Sequence, residues 1–236
     1  MYILTSKIVD LVLNLWQRVP GPVIHNLEKA RILKKIFCHL NVDGIEGDYF
    51  EFGVAHGNSM RAAELAEKHS HFKSLGVKHF SRNLYGFDTF ENFVGGGDID
   101  SHPTWEGDLF NVPQKLVQRR FKRSRNVHLF KLDVNSMDPK VERFNYSNFG
   151  IKRKAAVILF DMDLYGPTKS ALTWATNLIQ QGTFLIFDEY FSFGGDQQKG
   201  ESRALNEFMI ENPNFMLRDF ASYGVGGKIF VVDLVK

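Results

Sequence analysis

The sequence predicts an α/β fold: a doubly wound, mostly parallel sheet of seven strands, closed by an antiparallel C-terminal hairpin and preceded by a helical extension. Three observations predict it. Short apolar segments bounded by polar residues or Gly recur along the chain, the pattern of strands buried on both faces. Stretches of helical periodicity alternate with them. Two of the segments, 155–159 and 183–186, run into acids, Phe160-Asp161-Met162-Asp163 and Phe187-Asp188-Glu189-Tyr190, on either side of a helix-like stretch with Pro167 in its first turn. A strand–helix–strand unit brings both carboxyl ends to one sheet edge, where open α/β folds bind ligands. Carboxylates gathered there are costly to bury unless a cation or hydrogen bonds compensate.

Taken in order, residues 3–16 read as an amphipathic helix. Lys7, Asp10 and Asn14 make the stretch too short and too polar to cross a bilayer, and no small-residue cleavage site follows. Ile8, Leu11, Val12, Leu15 and Trp16 mark one face, expected to pack on the domain or on a second copy, with membrane-surface docking as the alternative. Val19-Pro20-Gly21-Pro22 forces a break, and 26–40 reads as a second helix. Residues 1–46 are thus a helical extension, suited to a lid or to pairing two copies as a homodimer, and 47–236 the main domain. A strand over 48–54 precedes a helix over 58–69 with alanines on its inner side. The next strand, 83–87, ends in Asp88. From 91 to 113 the text is irregular, with Gly95-Gly96-Gly97, Pro103 and Trp105; so long a loop in a compact domain is usually a lid or a binding loop. Phe90, Phe93, Trp105, Phe110, Phe191 and Phe193 fall in loops after strand ends and suggest a partly apolar acceptor pocket. A helix over 112–122, a strand over 127–132 ending in Asp133, the two acidic strands and a helix over 201–212 follow. Segments 215–221 and 228–234, joined by Tyr223-Gly-Val-Gly-Gly227, form the hairpin, with one reversed strand at the sheet edge.

Composition narrows the function. With 236 residues and 44% hydrophobic content, the chain suits one large soluble domain. A net charge of +2 does not suggest nucleic acid or a membrane surface. The dense basic run of Arg119, Arg120, Lys122, Arg123 and Arg125 reads as a solvated helix end. One cysteine, Cys38, excludes an internal disulfide framework and fits the reducing cytoplasm. No histidine pair has H-x-x-x-H spacing, which argues against zinc.

The first strand runs into Glu51-Phe-Gly53-Val-Ala-His56-Gly57-Asn58-Ser59. Gly53 permits a tight turn, and Gly57 permits close approach of a ligand to the following helix N-terminus. The dinucleotide fingerprint G-x-G-x-x-G is absent, which disfavours a nicotinamide oxidoreductase. An acid ahead of the first glycine would repel a pyrophosphate but suit an ammonium group. Asp88, in Tyr85-Gly-Phe-Asp88-Thr-Phe, lies where a carboxylate would meet a ribose; capping the following turn is the other reading, and Asp133 has the same two.

Together these blocks resemble the class I S-adenosylmethionine-dependent methyltransferases, and within them the macrocin-type sugar O-methyltransferases. The resemblance runs from about Asp48 to Asn212 and rests on Asp48-Tyr-Phe-Glu51-Phe-Gly53-Val, Tyr85-Gly-Phe-Asp88-Thr-Phe, Asp161-Met-Asp163-Leu-Tyr165-Gly-Pro-Thr168 and Phe187-Asp188-Glu189-Tyr190. It implies a Rossmann-like methyltransferase fold and S-adenosylmethionine as cofactor. The methionine end would be held by Glu51, Gly53, His56, Gly57, Asn58 and Ser59, the ribose by Asp88 beside Thr89, and the adenine near Asp133, with Asp161 adjoining. It also implies Mg2+ on Asp161, Asp188 and Glu189, where Glu189 replaces the family's usual second aspartate. The acceptor would be a hydroxyl of a small molecule, most simply a sugar of a natural product or glycan. The residue types agree: hard cations take carboxylate oxygens, and a metal-bound hydroxyl loses its proton more easily. Asp161, Asp163, His56 and Glu201 are the candidate catalytic groups for activating that hydroxyl. A catechol-like acceptor, a metal-free transferase and a non-catalytic cofactor-binding protein are the alternatives.

Overall fold

Across the described residues of the computed structural model (2–70, 76–91, 102, 111–134 and 146–234), seven strands form one sheet in the order β3-β2-β1-β4-β5-β7-β6. The strands are β1 (Asp48–Phe52), β2 (Leu84–Asp88), β3 (Val127–Lys131), β4 (Ala155–Phe160), β5 (Phe184–Phe187), β6 (Phe215–Tyr223) and β7 (Gly227–Leu234). The helices are α1 (Tyr2–Gln17), α2 (Gly21–Val42), α3 (Asn58–His69), α4 (Gln114–Arg120), α5 (Tyr165–Ala175) and α6 (Gly200–Glu211). β1 to β5 pair in parallel. The chain leaves β1 in one direction and β4 in the other, so the strand order reverses between these two neighbours.

The expected doubly wound sheet is present, with one difference at its end. The reversed strand, β7, is not at the edge: it pairs antiparallel with both β5 and β6, and β6 is the edge. Composition explains the swap. β7 buries Ile229, Phe230 and Val232, whereas β6 carries Arg218, Asp219 and Ser222, and polar residues protect an exposed edge.

Aromatic packing fixes the register of the parallel strands. Phe130, Phe87, Phe52, Phe160 and Phe187 occupy one level of five adjacent strands. Neighbouring rings stack at centroid distances of 5.6, 5.2, 5.7 and 4.9 Å. Trp174 of α5 closes on this row edge-on, 5.8 Å from Phe52 and 5.4 Å from Phe87. That face of the sheet is covered by α5 and α6, through Leu172, Leu205 and Phe208 among others. The opposite face is covered by α2, α3 and α4, with Ile32, Leu33, Ile36, Phe37 and Leu40 of α2 fully or almost fully buried.

The two N-terminal helices therefore differ. α2 is built into the core, whereas α1 turns every described side chain to solvent, with Leu11 61% and Trp16 50% exposed. Packing of α1 on its own domain is not what forms. Pro20, extended at ψ 140°, ends α1 and starts α2, so that α2 rather than α1 lies against the sheet. The glycine-rich segment 95–97, with Phe93, Trp105 and Phe110, lies outside the described residues. At protein concentrations too low for two copies to pair, deleting residues 1–19 should change the unfolding free energy by less than about 1 kcal/mol in urea titrations; a larger loss there would mean that α1 packs on its own domain.

Candidate active site

The site follows from the alternation of side chains along each strand. Phe52, Phe87, Phe160 and Phe187 face α5 and α6, so their neighbours Glu51, Asp88, Asp161 and Asp188 face the α2 and α3 side. Four acids thereby reach one face at the carboxyl ends of four adjacent strands.

What meets them is Lys29 of α2. Its ammonium donates to Asp161 Oδ2 at 2.9 Å and to Asp188 Oδ2 at 2.5 Å, and the residue is only 4% exposed. His25, one turn earlier, brings Nε2 to 3.0 Å from the same Asp188 oxygen. Its Nδ1 accepts the Val225 N–H at 3.2 Å, which leaves Nε2 as the donor of the neutral ring. The Tyr223 hydroxyl donates to Asp188 Oδ1. Burial opposes the charges here, but Lys29 and His25 outweigh it and hold Asp188 well below the usual carboxylate range. Lys29 in turn is kept charged by both aspartates against the effect of its burial. Asp161 retains partial exposure; burial and the Asp188 charge raise it to about 6 despite Lys29.

The hairpin turn between β6 and β7 belongs to this assembly. Glu28 accepts the Gly224 N–H at 2.6 Å. Gly224 has φ +56°, and a Cβ there would lie 2.2 Å from His25 Nδ1. At Gly226 a Cβ would come 3.1 Å from Glu189 Oε2. The Gly-rich turn is thus short of side chains because α2 and the end of β5 press against it.

The turn after β1 is shaped mainly by the chain itself. At Gly53 (φ +87°) a Cβ would overlap the Asp161 carbonyl oxygen at 1.8 Å. At Gly57 (φ +74°) it would meet the Phe121 ring and Val117 from the α4 side. The first glycine admits the end of β4 and the second admits α4. Glu51 is fully buried and accepts from Tyr49 at 2.5 Å and Ser59 at 2.6 Å. Burial raises its carboxyl to about 8, although both hydroxyls favour the charged form. Asp88 accepts the Val54 and Ala55 N–H groups at 2.7 and 2.8 Å and the Phe90 N–H at 2.6 Å. It therefore performs the turn-capping role while remaining partly exposed at the cleft.

The other candidates separate by exposure. Asp163 is almost buried in the left-handed region at φ +63°, and its carboxylate makes no hydrogen bond among the described residues. Burial, and then the charges of Asp161, Glu189 and Asp188, push its pKa well up. Glu189 is half-buried, accepts from Ser192 at 3.2 Å and is raised to about 7 by burial and Asp188. Glu201 departs from its expected accessible position: it is fully buried and its Oε2 accepts the Glu189 N–H at 2.9 Å, which holds the β5 end in place, while Oε1 has no partner among the described residues. His56 is exposed; its carbonyl and the Asn58 side chain are held by Arg120, the one member of the basic run that reaches back to this turn. Thr89 is partly buried and Asp133 exposed at the β2 and β3 ends. A cavity of about 560 Å³ beside the turn, lined by His56, Asn58, Pro113, Leu116 and Arg120, contains none of the acids.

The expected Mg2+ on Asp161, Asp188 and Glu189 does not fit this arrangement. Asp188 already accepts three hydrogen bonds, and an ammonium bridges it to Asp161 where a divalent ion would have to sit. Among the described residues no cluster of His, Cys, Asp and Glu could hold a metal. Lys29, His25 and Tyr223 were not foreseen. A signal existed: Lys29 lies on the stripe Ile32, Leu33, Ile36, Leu40, and a lysine on the buried face of a helix needs a carboxylate partner.

With this geometry in view, comparison with known proteins is direct. The model of the macrocin O-methyltransferase (TylF) family matches residues 25–212. The chain belongs to that family. The match begins at His25 and so takes in most of α2, earlier than the resemblance near Asp48 implied. The protein is an O-methyltransferase. Among solved structures, the O-methyltransferase NovP aligns with a TM-score of 0.62 at 18% identity, over 86% of this chain and 78% of that one. CalS11, the calicheamicin methyltransferase, gives 0.56 at 22% identity, over 85% and 78%. An O-methyltransferase from Bacillus cereus, solved in complex with SAH, gives 0.51 at 14% identity, over 96% and 88%. These likenesses establish the methyltransferase fold. No curated protein sequence matches the chain.

Two outcomes test the site's construction. An unfolded glutamate releases its proton near 4.5, whereas folded Glu51 keeps it to about 8. The stability this gives is complete below the lower value. It is lost by up to about 1.4 kcal/mol per pH unit as pH rises toward the upper one. The melting temperature of Glu51→Gln relative to the parent should therefore climb between about pH 5 and 8; a flat difference would contradict a protonated Glu51. Gly224→Ala, forced against His25, should lose on the order of 2–4 kcal/mol in chemical denaturation, and an unchanged midpoint would refute the clamp.

Proposed function

We propose that the enzyme transfers the methyl group of S-adenosylmethionine to a hydroxyl of a small molecule, a sugar of a natural product or glycan. The observation that carries this reading is the clustering of the Gly53 turn, Asp161 and Asp163 where the strand order reverses between β1 and β4, the place where doubly wound sheets bind ligands. Membership of a family described by macrocin O-methylation supports the sugar acceptor, and the SAH complex of the Bacillus cereus enzyme supports the cofactor. Glu51 and Ser59 lie under the turn that would receive the methionine ammonium, and Asp88 keeps an accessible edge toward a ribose. Asp133 would lie toward the adenine.

Asp163 in its ionised form is the group best placed to receive the proton of the acceptor hydroxyl, because its carboxylate is uncommitted within the described residues and sits beside the acid cluster. A non-Gly residue held at φ +63° is uncommon, and such positions gather at functional sites. In the transfer the oxygen–methyl bond forms as the sulfur–methyl bond breaks. Bound S-adenosylmethionine would supply the methyl group from its sulfonium and be left as a neutral thioether, while Asp163 would take the hydroxyl proton. Alignment of oxygen, carbon and sulfur supplies much of the rate, so no covalent protein intermediate is needed. The reading places the enzyme in the reducing cytoplasm, consistent with the single thiol of Cys38, and pairs two copies through the exposed face of α1.

Asp163→Asn should lower kcat by roughly 10²–10⁴ in transfer of labelled methyl to a panel of sugar glycosides. Its affinity for S-adenosylhomocysteine, measured by calorimetry, should stay within a few-fold. Equal losses in both would remove Asp163 from the proton transfer.

A further inference from the structure

We infer that the Lys29 ammonium is the resident cation of this enzyme, standing in the bridging position between Asp161 and Asp188 that a divalent metal would otherwise take. Three observations carry the inference. The first is geometry: one nitrogen lies 2.9 Å from an Asp161 oxygen and 2.5 Å from an Asp188 oxygen, nearly shut off from solvent. The second is occupancy. Lys29, His25 and Tyr223 fill three of the roughly four acceptor positions of the Asp188 carboxylate, including both of those on the oxygen that faces Asp161, so an ion between the two aspartates would have to displace a buried partner. The third is anchorage. Lys29 sits one turn beyond His25 and next to Glu28, and both of these are tied to the 224–225 turn, while the next turns of α2 are buried in the core. For Lys29 to withdraw, α2 would have to leave the sheet or the ammonium would have to lose both carboxylates in a buried setting.

The position bears on specificity. A divalent ion with open positions can hold two neighbouring oxygens of an acceptor at once. A lysine already committed to two carboxylates cannot. The acceptor would then need only the hydroxyl that is methylated, and neighbouring oxygens would not be required. This consequence rests on the proposed methyl transfer; the identity of the cation does not, and it can be tested apart from turnover.

Manganese titration of the apo enzyme, followed by electron paramagnetic resonance, tests it. The wild-type chain should take up no stoichiometric Mn2+. Lys29→Ser, which frees the two carboxylates, should gain one site per chain, bound at least about tenfold more tightly than any manganese on the parent. Adding Asp188→Asn to that variant should remove the site again. One manganese per wild-type chain, lost in Asp188→Asn alone, would overturn the inference, as would a folded Lys29→Ser variant that gains none. If Lys29→Ser does not fold, the wild-type titration decides alone. Where methyl transfer is measurable, prior treatment with a chelator should leave its rate unchanged, and loss of rate restored by Mg2+ would count against a resident lysine.

Discussion

A buried ammonium must be matched by negative charge, and much of the architecture around the β4 and β5 ends is organised by matching that of Lys29. Two aspartates on adjacent strands supply the charge. Removing either would leave the lysine partly uncompensated, and removing the lysine would leave two carboxylates facing each other in a poorly solvated space, so each member depends on the others. The dependence reaches outward through His25 and Tyr223, which complete Asp188, and through Glu28, which holds the turn that closes over them. A helix early in the chain and a turn near its end are thereby joined through a residue of the fifth strand.

The glycines take their meaning from the same packing. Gly53, Gly57 and Gly224 each sit where a Cβ would run into a backbone, a ring or an imidazole of this protein. Close approach of chain to chain requires a glycine at each of these positions. A motif that reads as ligand-binding is here first a device for bringing β1, β4, α4 and α2 within contact of one another.

Strands and helices were legible because each strand is a short apolar run ended by a polar residue, and helices such as α3 carry a plain apolar stripe. The acids at the strand ends were legible too, since parallel strands share an edge. The hub was not. Sequence periodicity places Lys29 on a helix stripe but cannot say which sheet residues that stripe will meet, and Asp188 and Tyr223 lie more than 150 residues further on. Glu201 was misread for a related reason. A carboxylate opening a helix after a Gly-rich loop looks accessible, and only the three-dimensional path shows it tucked beneath the Glu189 amide. The order of β6 and β7 was similarly a matter of which strand had two apolar faces to bury, visible once the polar residues of β6 are weighed.

The row of phenylalanines has a bearing on how the enzyme comes into being. Phe87, Phe160 and Phe187 are each followed by the aspartate that serves the other face, so ring and acid are placed by one and the same register. A strand displaced by a single residue would point its ring at α2 and its carboxylate at the indole of Trp174. A slipped strand would therefore lose its place in the ring row and in the acid cluster together, so one register serves both the core and the site.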